Sequence, residues 1–220
     1  MTRKISMNER LRQIRTPKQC SAAGGWSIAA VCFSVGILLG VFSKWLDNLA
    51  LDSAIRWHGW IEALDLGNFF SELAIWLLLA LLIAVFSPSP LWAALKVFLF
   101  FAGMCAAYHA CTVLFSGFNP TSYMLLWYAI TLLSPLPAAL CWYARGDGPV
   151  SILLDIDIVA IFFLSCFSIG FFYVDLKGIL YLLVFCGAAA ALCRNPKQLL
   201  ISLPVGILLA FLLNPVWPFH

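Results

Sequence analysis

Two polar residues of this 220-residue chain are the hardest to accommodate in a membrane: a carboxylate, Glu72, and an imidazole, His109. Both fall inside apolar segments. A charged group in hydrocarbon must be paired or hydrated, because its burial there costs free energy. On neighbouring antiparallel helices the two side chains could pair, bind a cation or relay a proton. Lys44 could neutralise Glu72 instead, which would make the group structural. The sequence leaves these alternatives open.

Other polar and aromatic side chains fall at the same predicted level of the membrane. The candidate ligand-binding residues are Lys44, Asp47, Asp65, Asn68, Glu72, Tyr108, His109, Tyr123 and Trp127. A lysine, several carboxylates, a histidine and several tyrosines near one membrane face predict a polar pocket that opens to the outside. The alternative is that they are only the Tyr, Trp and ion pairs usual at the outer ends of membrane helices.

Interruptions of the backbone are a second signal of function. Pro135 and Pro137 fall near the middle of the fourth apolar segment, and Pro204 and Gly206 near the middle of the seventh. A break or marked kink is expected at each place, because proline lacks the N–H donor and clashes with a preceding carbonyl. Broken helices free backbone groups at mid-membrane, where transporters bind substrates and ions. The two segments hold matching places in an inverted three-plus-three arrangement, which favours transport.

Two further carboxylates, Asp155 and Asp157, belong to the fifth apolar segment. Residues two apart on a helix are separated by about 200°, so both cannot face one cavity. If the segment begins at Pro149, they lie about 9–12 Å along the helix. If it begins near Ile158, both are interfacial, and this shallow placement is the one we favour.

Signatures of intramembrane catalysis are missing from the sequence. It contains no H-E-x-x-H, no G-x-S-x-G and no phosphate- or dinucleotide-binding glycine loop. The eight cysteines show no zinc-site spacing and fit packing roles. We therefore predict no metal and no cofactor, assign no catalytic residue, and favour a protein that is not an enzyme.

Composition defines the elements that must position these residues. The chain is 63% hydrophobic and only 10% charged, with a mean hydropathy of +0.97, whereas a soluble domain carries about 25% charged residues. This composition excludes a soluble enzyme, a nucleic-acid binder and a disordered chain. It predicts an all-α, polytopic transmembrane helix bundle whose first partner is the lipid bilayer.

Seven apolar segments are predicted to span the bilayer, or six spans if the last two short segments form a re-entrant pair. They are Trp26–Ser43, Phe69–Ser87, Leu91–Phe115, Ser122–Ala144, Pro149–Phe172, Gly178–Cys193 and Gln198–Leu213. We predict a basic N-terminal tail at 1–25 and a single membrane domain at 26–220 with an outside loop at 44–68. A G-x-x-x-G motif at Gly36 and Gly40 predicts close helix packing, within the chain rather than across a dimer.

The distribution of basic residues predicts the orientation. Ten of the thirteen lysines and arginines fall on the side of the N-terminus, and only Lys44, Arg56 and Lys177 fall on the other. Because cytoplasmic loops carry the excess of positive charge, the N-terminus is predicted to be cytoplasmic and the C-terminus outside.

Three short runs resemble those of small multi-pass bacterial membrane proteins that have no assigned activity. They are Gly40–Asp47, Asp65–Phe70 and Trp142–Gly146. The resemblance would cover nearly the whole chain. It implies a bacterial inner-membrane setting and carries no mechanism.

Three classes of function remain. The first is a small-solute transporter or ligand-binding membrane component, which would take a small molecule or a lipid in the outer pocket. The second is a non-catalytic accessory subunit that docks another membrane protein or a second copy of this chain. The third is an intramembrane enzyme that uses Glu72 or His109 on a lipid-like substrate.

Overall fold

The computed structural model describes residues 7–52, 54–170 and 172–218, and almost all of its regular structure is α-helical. The helices are α1 (Met7–Ile14), α2 (Ala22–Asp47), α3 (Arg56–Ala63), α4 (Leu66–Ser71), α5 (Leu73–Val85), α6 (Pro90–Cys111), α7 (Thr121–Leu133), α8 (Pro135–Ala144), α9 (Pro149–Cys166), α10 (Ile179–Leu192) and α11 (Pro196–Leu213). A π-helical turn, Thr112–Ser116, extends α6, and a 3-10 turn, Asn214–Val216, extends α11. Strands β1 (Phe167–Ile169) and β2 (Val174–Leu176) form an antiparallel hairpin.

Four helical stretches are long and apolar enough to cross a membrane: α2, α6 with its π-helical turn, α9, and α11 with its 3-10 turn. The pair α7 and α8 makes a fifth if both belong to one span. Helices α5 and α10 have 13 and 14 residues and extend only about 20 Å, against about 30 Å of hydrocarbon. The structure therefore supports four or five spans and not the seven predicted. The last predicted segment is a candidate span and is longer than expected, because its helix with the 3-10 turn is 21 residues long.

The loops gather at two ends of the molecule. At one end the backbone N–H of Asp147 donates to the Ile14 carbonyl, and that of Lys18 donates to the Pro88 carbonyl. We call this the basic end, because it carries Arg15, Lys18, Arg145, Arg194 and Lys197. The other end joins the loops after α2, α4, α6 and α9, and we call it the acidic end. Its carboxylates are Asp47, Asp52, Glu62, Asp65, Glu72 and Asp175.

Short helix α5 lies at the centre of the bundle, packed against α6, α8, α9 and α10. Trp76 on α5 and Trp142 on α8 are among the largest fully buried side chains. Each indole N–H is satisfied: Trp76 donates to the Phe70 carbonyl and Trp142 to the Ser87 carbonyl, both at 2.8 Å. A buried polar atom without a partner would be destabilising, so these bonds fix both ends of α5.

Helix α2 is attached mainly by a glycine seam along α6. A Cβ atom at Gly36 would lie 2.1 Å from the Phe100 carbonyl oxygen, and one at Gly40 would lie 2.4 Å from that of Met104. From the other side, a Cβ at Gly103 would lie 2.5 Å from the Phe33 carbonyl oxygen. The prediction that this motif serves packing within the chain is confirmed, since only glycine permits such close backbones.

The two predicted interruptions differ in outcome. Helices α7 and α8 meet at Ser134 with a bend of 50°, next to Pro135 and Pro137 as predicted. Helix α11, in contrast, continues through Pro204 without a break. Gly206 brings α11 so close to α9 that an added Cβ would lie 2.7 Å from the Val159 side chain. Gly206 thus serves the close packing of α11 against α9.

Candidate functional site

A break in the second apolar segment positions Glu72. Asp65 has a left-handed backbone, with φ of 47°, and its carboxylate accepts two hydrogen bonds from the Asn68 amide, at 2.9 and 3.0 Å. Short helix α4 follows and ends at Ser71, and the extended backbone of Glu72 separates α4 from α5. The predicted Phe69–Ser87 helix is therefore divided, and Glu72 lies directly before the first residue of α5.

Glu72 forms an ion pair with Lys177, with 2.9 Å between Oε2 and Nζ. Lys177 follows strand β2, and its ammonium also lies 5.8 Å from the centre of the Tyr181 ring. The side chains remain 39% and 19% exposed, so water and solutes reach the pair. Neither of the partners considered from the sequence, His109 or Lys44, occupies this position.

A cleft of about 670 Å³ surrounds this ion pair, and we call it the acidic-end cleft. Its lining residues are Asp65, Asn68, Ser71, Glu72, Leu73, Ala74, Tyr123, Leu126, Trp127, Ile130, Ser165, Ser168, Lys177, Tyr181 and Pro218. Five of the nine candidate residues are among them. Seven of the fifteen lining residues are polar or charged and the others are apolar or aromatic, so the cleft offers a strongly polar lining beside apolar surface.

Three candidate residues form a separate group beside this cleft. The Tyr108 hydroxyl donates a hydrogen bond to the Asp47 carboxylate. The buried Lys44 ammonium lies 5.5 Å from the centre of the Tyr108 ring and 5.9 Å from that of Phe118. Asp47 also shares a neighbouring depression of about 470 Å³ with Asp65. Lys44 and Tyr108 thus join α2 to α6 and do not line the acidic-end cleft.

His109 lies apart from the other candidate residues. Its Nδ1 is hydrogen bonded to the Tyr128 hydroxyl, and the two rings are stacked with centroids 6.0 Å apart. Both groups are on the exposed side of their helices. The histidine therefore cannot exchange a proton directly with Glu72.

Sequence reasoning missed the contribution of the β-hairpin region to the cleft. Ser165, Ser168, Lys177 and Tyr181 come from the end of α9, the hairpin and the start of α10. The predicted fifth span ran to Phe172, whereas α9 ends at Cys166. The one available signal was Lys177, a basic residue among the few at the acidic end.

Asp155 is buried inside the protein, and its shallow depth in the membrane stays a prediction. Helix α9 begins at Pro149, after a left-handed glycine turn, and Asp155 lies two turns inside it with only 1% of its surface exposed. The Gln198 amide donates to Asp155 Oδ2 at 2.6 Å and to Ser151 Oγ at 3.0 Å. Among the described atoms, Asp155 Oδ1 has no hydrogen-bond partner. Asp157 is exposed, as the angular separation of the two residues predicts.

No cluster of three or more His, Cys, Asp or Glu side chains that could hold a metal ion occurs within 7–52, 54–170 and 172–218. Comparison with protein-family models, with curated proteins and with solved structures finds no match to this chain. The apolar helices define the class: the chain is a multi-pass membrane protein. No family is identified, so the bacterial setting implied by the resemblance stays a prediction.

Proposed function

We propose that the acidic-end cleft binds a small polar solute, and that the chain is a small-solute transporter or a ligand-binding membrane component. The observation that carries the proposal is the Glu72–Lys177 ion pair inside a cleft of about 670 Å³. A carboxylate and an ammonium that stay partly hydrated offer a solute both signs of charge. Tyr181 and Trp127 add apolar and hydrogen-bonding surface beside them.

The proposed orientation puts the basic end in the cytoplasm and the acidic-end cleft on the outside. Positive charge at the loops of the basic end supports this orientation. In this arrangement residues 1–25 form a cytoplasmic tail, and 26–220 form one membrane domain. A bacterial inner membrane is part of the same proposal.

The broken helix supports transport in particular. The bend of 50° separates α7 from α8. Tyr123 and Trp127 of α7 line the acidic-end cleft, and α8 extends to the basic end. A bend of this kind allows one half of a span to move against the other. We propose that such movement changes access to the cleft.

The test is a binding screen followed by uptake. Purified protein is heated with amino acids, amines, carboxylates and sugars in turn, and a ligand is recognised by a rise in the melting temperature. We expect a ligand that stabilises the wild type and the matched control Asp175→Asn but not Glu72→Gln. Asp175 is an exposed carboxylate of the same end that does not line the cleft.

Proteoliposome uptake of that ligand then separates a transporter from a binding component. Loss of uptake in Glu72→Gln, with a melting temperature near that of the wild type, would support a transporter. Stoichiometric co-purification of another membrane protein, with no ligand found, would favour the accessory-subunit class. Turnover of a lipid-like substrate would favour the enzyme class.

A further inference from the structure

The basic end contains a second large cleft, of about 940 Å³, which we call the basic-end cleft. Five cationic side chains line it: Arg15, Lys18, Lys96, Arg145 and Arg194. Asp147 is the one carboxylate among its lining residues, and it lies 3.3 Å from Arg194. The cleft therefore holds a large excess of positive charge.

The burial of Lys96 increases the free-energy cost of this excess positive charge. It lies in the second turn of α6 and is only 3% exposed. Its ammonium lies 5.8 Å from the centre of the Trp92 ring, and it forms no ion pair with any carboxylate in the described part of the chain. A buried ammonium without a counter-ion is strongly unfavourable. An anion in the cleft would remove that penalty.

Arg15 shows that the cationic side chains of this cleft repel one another. Its guanidinium lies 4.3 Å from the centre of the Trp142 ring and donates hydrogen bonds to the carbonyls of Trp142 and Val85. Burial, together with repulsion from Arg145 and Arg194, lowers the pKa of Arg15 to about 10. The carbonyls orient this cation but do not neutralise its charge.

The remaining walls of the cleft are apolar. Ile28 and Cys32 of α2 line it on one side, and Leu82 and Ile83 of α5 line it on another. Helix α2 packs along α6 and against α4, and it leaves this space open beside the end of α5. Ile28 and the neighbouring Phe86 are strongly exposed. A ligand that fills the cleft would thus meet positive charge at one end and apolar surface beside it.

We propose that the basic-end cleft binds the phosphate group of an anionic phospholipid, with an acyl chain beside Ile28 and Phe86. Arginine and lysine are the side chains that recognise phosphate, and basic pockets between membrane helices suit anionic headgroups. The apolar wall favours a lipid over a soluble phosphate compound. The proposal is independent of the ligand of the acidic-end cleft.

The experiment is native mass spectrometry of the full-length protein in detergent micelles that contain dioleoylphosphatidylglycerol or, separately, dioleoylphosphatidylcholine. We expect adducts of the anionic lipid at lower lipid concentration than adducts of the zwitterionic one. Lys96→Met removes the buried charge, and Lys18→Gln removes an exposed charge of the same cleft in case the first variant fails to fold. Each should weaken phosphatidylglycerol binding by about fivefold.

Two controls make the result specific. Arg56→Gln removes one exposed positive charge at the acidic end, and Glu72→Gln alters the acidic-end cleft; both should bind phosphatidylglycerol like the wild type. Excess inorganic phosphate or glycerol 3-phosphate tests the source of the phosphate group. Displacement of the lipid by these compounds would support a phosphate site that takes soluble ligands, and persistence of the lipid adducts would support a lipid site. Equal binding of the two lipids, or unchanged binding in Lys18→Gln and in folded Lys96→Met, would overturn the proposal.

Discussion

The glycine seam between α2 and α6 makes the sharpest stability prediction, with Gly36→Ala as the perturbation. The new Cβ would lie 2.1 Å from the Phe100 carbonyl oxygen, and ordinary contact requires about 3.4 Å, so the helices must separate by about 1 Å. Overpacking of this kind costs about 1–3 kcal/mol. The cost cannot be relieved by a rotamer change, because the opposing atom belongs to the backbone of α6.

The assay is unfolding of the purified protein in detergent, by heat and by titration with sodium dodecyl sulfate. Gly59→Ala is the matched control, because no atom lies within 4 Å of a Cβ built there. In the middle of α3, alanine should be neutral or stabilise the protein by about 0.5–1 kcal/mol, since glycine is a poor helix former. A Gly36→Ala protein as stable as the wild type would refute the packing argument.

Three further predictions concern the ion pair and the two carboxylates of α9. A double-mutant cycle with Glu72→Gln and Lys177→Gln should give a coupling free energy of unfolding of about 1 kcal/mol, because the ion pair is half-buried. No measurable coupling would mean that the pair does not form. Asp155→Ala should cost about 1–3 kcal/mol, since it removes one of the two acceptors of the Gln198 amide and leaves a cavity at a buried position. Asp157→Ala should change stability by less than about 0.5 kcal/mol, and equal effects would contradict the burial of Asp155. Asp155→Asn should be at least as stable as the wild type, because the asparagine amide keeps an acceptor for Gln198 and removes a buried charge. Denaturant titration measures the stability of this variant. A loss of stability as large as that of Asp155→Ala would show that the charge itself is needed.

Long apolar runs carried most of the information about the fold. All seven predicted segments are mainly helical in the structure, because burial of apolar residues with satisfied backbone groups leaves few alternatives. Span lengths were less predictable. The division at Glu72 is an extended residue between α4 and α5, and no proline or glycine marks it within the predicted Phe69–Ser87 segment. The uninterrupted course of α11 past Pro204 and the packing of Gly206 against Val159 are features that no local pattern reveals.

The candidate site was predictable to a similar degree. Five candidate residues line one cleft, as expected from the predicted topology, which puts them at the same end of the molecule. They are Asp65, Asn68, Glu72, Tyr123 and Trp127. Their partner, Lys177, lies 105 residues from Glu72 in sequence, and only the tertiary fold brings the two together. His109 shows the limit of such reasoning: it lies at the expected depth, but its direction around the helix takes it to Tyr128.

The central claim is that the acidic-end cleft holds a small polar ligand, and native mass spectrometry tests it most directly. The protein is released gently from the membrane in which it was expressed, as wild type, Glu72→Gln and Asp175→Asn. We expect one bound small molecule of defined mass on the wild type and on Asp175→Asn, and its loss from Glu72→Gln. The same adduct on all three proteins, or no adduct on the wild type even after incubation with the solutes of the binding screen, would contradict the account.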